Sequence, residues 1–151
     1  MAIMSKLQAA YLAGLIDGEG YIGILKCKKG NKKSFSSVKD YIYCPVLKIA
    51  MTDKPIITWL YQSYGGTFET RKAKGNANES YCWTMKNARV MDFLQKTYPY
   101  MRVKKNEAEI MFKFKNCTNG AGHLLGEENW TKRDELYDQL RQIHRRGTVR
   151  D

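Results

Sequence analysis

Apolar residues recur at helical spacing near the start of the chain. Leu7, Tyr11, Leu12, Leu15 and Ile16 predict a first helix. Ser5 and Gln8 have capping-box spacing, in which the serine hydroxyl accepts a free backbone N–H and the glutamine reaches back. Gly18 and Gly20 predict its end. From Tyr21 to Lys28 the period changes to two, with Ile22 and Ile24 on one face and Gly23 and Leu25 on the other. The basic turn "KCKKGNKK", Lys26 to Lys33, joins this strand to a longer one, roughly Val38 to Thr52. Pro45 within it predicts a bulge or an edge position, because proline has no N–H for a ladder.

The stretch "TDKPIITWLYQSYGG" predicts a second helix, with Asp53 as N-cap, Pro55 in the first turn and Gly65–Gly66 as the stop. A second hairpin pairs Thr67–Arg71 with Ser80–Met85 around "KAKGNANE". Helices follow at Asn87–Lys96, closed by Tyr98–Pro99, and at Val103–Lys115. Cys117 to Gly126 is a polar, glycine-containing loop. Thr131 with Asp134 starts a final helix carried by Leu136, Leu140 and Ile143, before a basic, frayed end. The order α-β-β-α-β-β-α, then an extra C-terminal helix, predicts an α+β domain. An antiparallel sheet has helices on one face and leaves the other open to a partner.

Alternation assigns the faces. Leu47, Ile49 and Met51, Phe68, and Tyr81, Trp83 and Met85 turn toward the core. Val46, Lys48 and Ala50, Glu69 and Arg71, and Ser80, Cys82 and Thr84 turn outward. The outer face is thus short polar residues mixed with Lys and Arg. Such a surface can hydrogen-bond base edges while basic hairpin tips hold phosphates, and a two-stranded ribbon fits the major groove.

Charge strengthens that reading. The chain has 151 residues with 26 Lys and Arg against 15 Asp and Glu, a net charge of +11. That balance points to a polyanion, with nucleic acid ahead of an anionic membrane surface. No apolar run is long enough for a transmembrane helix, and "MAIMSK" lacks the character of a signal or transit peptide. Cys27, Cys44, Cys82 and Cys117 have no C-x-x-C spacing and read as reduced thiols of an intracellular protein. Cys117 with His123 has no second pair to complete a zinc site, and His123 and His144 read as surface residues.

Against this basic background the first helix ends on two acids, Asp17 and Glu19. Ala10, Gly14 and Gly18 lie four residues apart on one face of that helix. Small side chains at this spacing admit a second helix closely, an effect that is steric in origin. A helix meeting its own copy there makes a two-fold, isologous contact.

Leu12 to Gly20, "LAGLIDGEG", resembles the LAGLIDADG motif of the homing endonucleases, departing at Gly18 and Glu19. The motif occurs once, so the chain is similar to the single-motif, homodimeric branch. The resemblance covers residues 5–116 as the endonuclease domain, with 117–151 a C-terminal loop and helix extension of it. It implies a DNA-binding saddle formed by the sheet and a dimer packed through Ala10, Ala13, Gly14, Asp17 and Gly18. It also implies site-specific hydrolysis of both strands of a long, partly palindromic DNA, leaving short 3′ overhangs. Such enzymes are typically intron-encoded. A non-catalytic nucleic-acid binder such as an intron-splicing maturase, or a transcription regulator on the same scaffold, is the competing expectation. The compartment is a prokaryotic cytoplasm or an organelle.

The resemblance implies roles for individual residues. Glu19 is the expected catalytic acid and ligand of Mg²⁺, for which other divalent cations such as Mn²⁺ can substitute. The backbone carbonyl of Gly18 faces the metal. Lys104 stands where the family often has a basic residue near the reactive phosphate, and Asp53 where relatives have a polar residue on the water network. One turn after Asp53, where relatives can have a basic residue, this chain has Ile57. Asp17 matches the first, non-catalytic aspartate and is expected to hydrogen-bond locally. The expected DNA contacts are Lys26, Lys28, Lys29, Lys32 and Lys33 at the first hairpin, Lys48, Glu69 and Arg71 on the outer face, Lys72 and Lys74 at the second hairpin, and Ser80, Cys82 and Thr84. No small-molecule substrate is expected.

Overall fold

The computed structural model describes residues 3–28, 41–72, 74–75, 78–117 and 127–148, with side chains of the last segment described for 128–145. In chain order the elements are α1 (Lys6–Glu19), β1 (Gly20–Lys28), β2 (Tyr41–Met51), α2 (Lys54–Tyr64), β3 (Thr67–Arg71), β4 (Ser80–Lys86), α3 (Ala88–Thr97), a short 3-10 turn (Tyr98–Tyr100), α4 (Lys105–Asn116) and α5 (Glu127–Thr148). The four strands form one antiparallel sheet in the order β1-β2-β4-β3. This is the α+β arrangement that the hydrophobic pattern predicts.

Local chemistry explains where the helices begin. The Ser5 hydroxyl accepts the Gln8 N–H at 3.2 Å, and the Gln8 side chain accepts the Ser5 N–H at 3.0 Å, completing the capping box. Asp53 caps α2 by accepting the Ile56 N–H at 3.0 Å. Gly66 has φ +91°, and a Cβ there would lie 2.4 Å from the Thr84 carbonyl oxygen. Only glycine fits that approach of chain to strand. Gly66→Ala should therefore cost about 2–3 kcal/mol in a urea denaturation series, since a rigid backbone atom must move.

Pairing register reproduces the expected faces. Lys48 lies opposite Tyr21 on β1 and Thr84 on β4, and Thr84 lies opposite Thr67 on β3. The other face buries Ile22, Leu47, Ile49, Trp83 and Met85 against Leu12 and Ile16 of α1, Ile57 and Leu60 of α2, Leu94 of α3 and Met111 of α4. Pro45 makes neither a bulge nor an edge strand. β2 is central, and its register with β1 runs through Pro45 unbroken. The Pro45 carbonyl accepts the Asn87 N–H, so its ring nitrogen faces the same flank, where the β4 ladder has already ended at Lys86. The proline costs no ladder bond because no donor is required there.

Three boundaries differ from expectation. α4 begins at Lys105 rather than Val103, because Arg102 and Lys104 are tied to α1 (below). α5 begins at Glu127, not Thr131, and continues to Thr148, so the basic stretch as far as Thr148 is helical rather than frayed, and residues 149–151 lie outside the described residues. Asp134 is no cap partner; it accepts hydrogen bonds from the Tyr41 hydroxyl at 2.8 Å and from the Tyr43 hydroxyl. These bonds, with buried Trp130, Leu136 and Leu140, seat α5 beside β1 and β2. Burial, and then the bond to Asp134, push the Tyr43 phenol well above its ordinary pKa, so it remains a donor. The polar loop after Cys117 lies outside the described residues.

Candidate active site and nucleic-acid interface

α1 delivers the acids. Its last turn closes when the Gly20 N–H donates to the Ile16 carbonyl. A Cβ at Gly20 would sit 2.7 Å from that oxygen, so the helix-to-strand corner requires a residue without a side chain. Glu19 is thereby left at the foot of α1, exposed, with no side-chain hydrogen bond or ion pair among the described residues.

Asp17 has a different task. Its carboxylate accepts the Arg102 N–H at 2.7 Å and the Lys104 N–H at 3.0 Å. Lys104 answers in the opposite direction: its ammonium donates to the carbonyls of Ile16 at 3.1 Å and Asp17 at 2.9 Å. An acid at a helix C-terminus opposes the helix dipole, and this exchange offsets the conflict twice. A cation sits on the last-turn carbonyls of α1, and the carboxylate lies before the N-terminus of α4, whose N-cap Lys104 supplies no side-chain cap. The partners are not local, as the sequence suggested, but 85 and 87 residues away. The result places the Lys104 ammonium on the carbonyls of the turn that bears Glu19. Asp17→Ala should cost about 2 kcal/mol in thermal denaturation, because two charge-assisted hydrogen bonds are lost and one of their donors is partly buried.

The remaining site residues are distributed as follows. Asp53 lies in a shallow cleft of about 400 Å³ with Tyr11, Met51, Pro55, Ile56 and Trp59, a lining that excludes Glu19. Ile57 is fully buried in the core, so the position where a basic residue was sought holds a packing residue instead. Ala10, Gly14 and Gly18 lie exposed on one face of α1, and a Cβ added at either glycine would meet nothing within 4 Å. Ala13 departs from the expected dimer face: it is 0% exposed and belongs to the core beside Leu12 and Ile16. The small-residue stripe is flanked by Leu7, 85% exposed, and Tyr11, 53% exposed. Tyr11 and Leu7 line a further cleft of about 310 Å³ with Ile56 and Trp59 of α2.

On the outer face, Glu69, Arg71, Lys72 and Lys74 are exposed, and Lys48 and Ser80 are half-buried. Cys82 and Thr84 point outward by register but are only 1% and 6% exposed. Both are interior positions of the sheet, flanked by a strand on each side: Thr84 stands between Lys48 and Thr67, and Cys82 between Ala50 and Glu69. Val46, opposite Gly23 and Lys86, is fully buried. Lys26 shares its parity with Ile22 and Ile24, and its ammonium lies 4.1 Å over the Tyr41 ring beside α5 rather than on the outer face. Lys28 is exposed and has the same parity. Lys29, Lys32 and Lys33 lie outside the described residues. The sequence reading missed Lys86 and Tyr21, both on the outer face by register. Carrying the alternation one step past Thr84 finds the first.

This architecture is that of DNA-cleaving homing endonucleases. The structure superposes on I-CvuI in complex with its target at a TM-score of 0.72, covering 91% of this chain and 82% of that one, at 18% identity. An archaeal intron-encoded homing endonuclease, I-Vdi141I, complexed with DNA, matches at 0.69 over 90% and 83% of the two chains, at 19% identity. The LAGLIDADG homing endonuclease I-LtrWI, bound to target DNA, matches at 0.63 and 21% identity, but this chain spans only 45% of its length. At these identities the likeness is one of fold: the chain has the LAGLIDADG homing-endonuclease fold. No protein-family model and no curated protein matches the sequence. Among the described residues no helix is long and apolar enough to cross a membrane.

Proposed function

We propose that the protein is a site-specific DNA endonuclease that works as a homodimer, of the intron-encoded kind. The observation that carries this reading is the composition of one helix. α1 presents an open small-residue stripe to a second copy and ends on a carboxylate with no side-chain partner among the described residues, beside a lysine fixed to the same turn. Two such helices packed about a two-fold axis bring two Glu19 carboxylates together at the foot of the interface. The fold neighbours support a duplex as the substrate, because they are homing endonucleases bound to DNA. The difference in coverage, 82% of I-CvuI against 45% of I-LtrWI, supports a unit that serves as half of a larger assembly.

The site fits a hard divalent cation. The Glu19 carboxylate and the Gly18 carbonyl are oxygen donors of the kind Mg²⁺ prefers, and Mn²⁺ accepts the same set. Among the described residues no cluster of three or more His, Cys, Asp or Glu could hold a metal, so the remaining ligands come from phosphate oxygens, water and the second copy. When bound, the cation stabilises charge on the phosphate and favours ionisation of a water. Glu19 orients that centre. Lys104 adds positive charge beside the scissile phosphate. Asp53, with one oxygen committed to its helix cap, serves the surrounding water network with the other. Lys48, Glu69, Arg71, Lys72, Lys74, Lys86 and Ser80 contact the duplex from the sheet and the second hairpin. Cys82 and Thr84 act beneath this layer.

The test is incubation of the protein with DNA spanning its own insertion site, with Mg²⁺ or with Ca²⁺. Specific double-strand cuts in Mg²⁺ alone are expected. Tight binding without cutting in either metal would leave a nucleic-acid binder and overturn the nuclease reading.

A further inference from the structure

We propose that the C-terminal half of α5 extends the DNA surface past the edge of the sheet and holds a backbone phosphate of the duplex, with Arg141 and His144 as the contacting side chains. This rests on the DNA-binding reading above and gives α5 a role of its own.

The sheet does not present a simple edge at β1. Thr67, Thr84, Lys48 and Tyr21 are successive register partners across β3, β4, β2 and β1, all on the outer face. The row does not stop at Tyr21. Its ring lies over Gly23, where a Cβ would come within 2.4 Å of the ring. The far side of the row is His144 of α5, whose ring centroid is 4.7 Å from that of Tyr21 at an interplanar angle of 30°. Strand and helix thus meet at the β1 end of the outer face.

Beside this junction is a cleft of about 430 Å³ between β1 and α5, whose lining includes Tyr21, Lys26, Tyr137, Arg141 and His144, with no acid among the described residues that line it. The Arg141 guanidinium is exposed and placed 5.7 Å from the Tyr137 ring. Burial, and then Tyr137, push the Tyr21 phenol above its ordinary pKa, so its hydroxyl, which lies over Gly23, remains a donor. Asp138 is the last acid of α5; after it come Arg141, Arg145 and Arg146 before the helix ends at Thr148. The helix dipole favours cations in the last turn only, and Arg141 lies outside it. A cleft at the β1 edge, with a guanidinium and an imidazole beside the outer-face residue Tyr21 and no acid among its described lining residues, has the chemistry of a phosphate site.

Phosphate contacts are independent of sequence, so a 40-base-pair duplex of arbitrary sequence is a sufficient probe. Fluorescence anisotropy without divalent metal, at pH 7.5 over a KCl series, reads affinity and its salt slope. The double variant R141A/H144A should weaken binding roughly tenfold and reduce the slope by about one. R141K should restore most of the slope. K132A removes a charge from the opposite end of α5, where Lys132 pairs with Glu128, and should leave both values unchanged. If R141A/H144A and K132A shift binding equally, only net charge is being measured and the phosphate site is overturned. If the unaltered protein fails to bind duplex at all, the DNA-binding reading itself falls, and this proposal with it.

Discussion

Glu19→Gln should abolish double-strand cutting while leaving duplex binding intact. The substitution keeps the size of the side chain and removes only its charge and its capacity as a hard anionic ligand. Glu19 is exposed and makes no side-chain hydrogen bond or ion pair among the described residues, so the fold loses nothing measurable. Loss of a group that stabilises transition-state charge costs about three orders of magnitude in rate. Cleavage should fall by that amount, with an unchanged melting temperature and unchanged affinity in Ca²⁺. Cutting by the glutamine variant within tenfold of the parent would exclude Glu19 as the reactive acid.

Gly14→Leu should produce a more stable monomer that does not cut. Within one chain a Cβ at Gly14 meets nothing within 4 Å, and leucine is the better helix former by roughly 0.8 kcal/mol. The lone subunit should therefore gain stability. Against a second α1, the same side chain occupies the space that the close helix approach requires. Analytical ultracentrifugation should show a shift from dimer to monomer, and double-strand cleavage should disappear with it. The opposite signs distinguish an interface from a packing defect. A dimeric, active Gly14→Leu protein would remove the small-residue stripe from the argument.

What the sequence revealed was whatever is decided within a few residues. The capping box of Ser5 and Gln8, the Asp53 cap and the face of every strand were legible because spacing alone sets them. The partner of Asp17 was not, because it lies more than 80 residues away and only the closed fold brings it near. A signal existed: an acid at a helix C-terminus conflicts with the dipole and calls for a compensating cation. The burial of Cys82, Thr84 and Val46 was equally hidden, since alternation reports the direction of a side chain but not how closely its surroundings cover it. Lys26 was legible and was misassigned. Its parity with Ile22 and Ile24 placed it on the helix side, but the basic turn suggested otherwise.

The exchange between Asp17 and Lys104 also fixes an order of assembly. α1 is synthesised before the rest of this domain, and its capping box can form without it. Its last turn stays unanchored until Arg102 and Lys104 have been synthesised and folded back. A nascent or truncated chain ending before that point has the acid but not the geometry around it. The reactive end of the first helix is thus completed only when most of the domain exists.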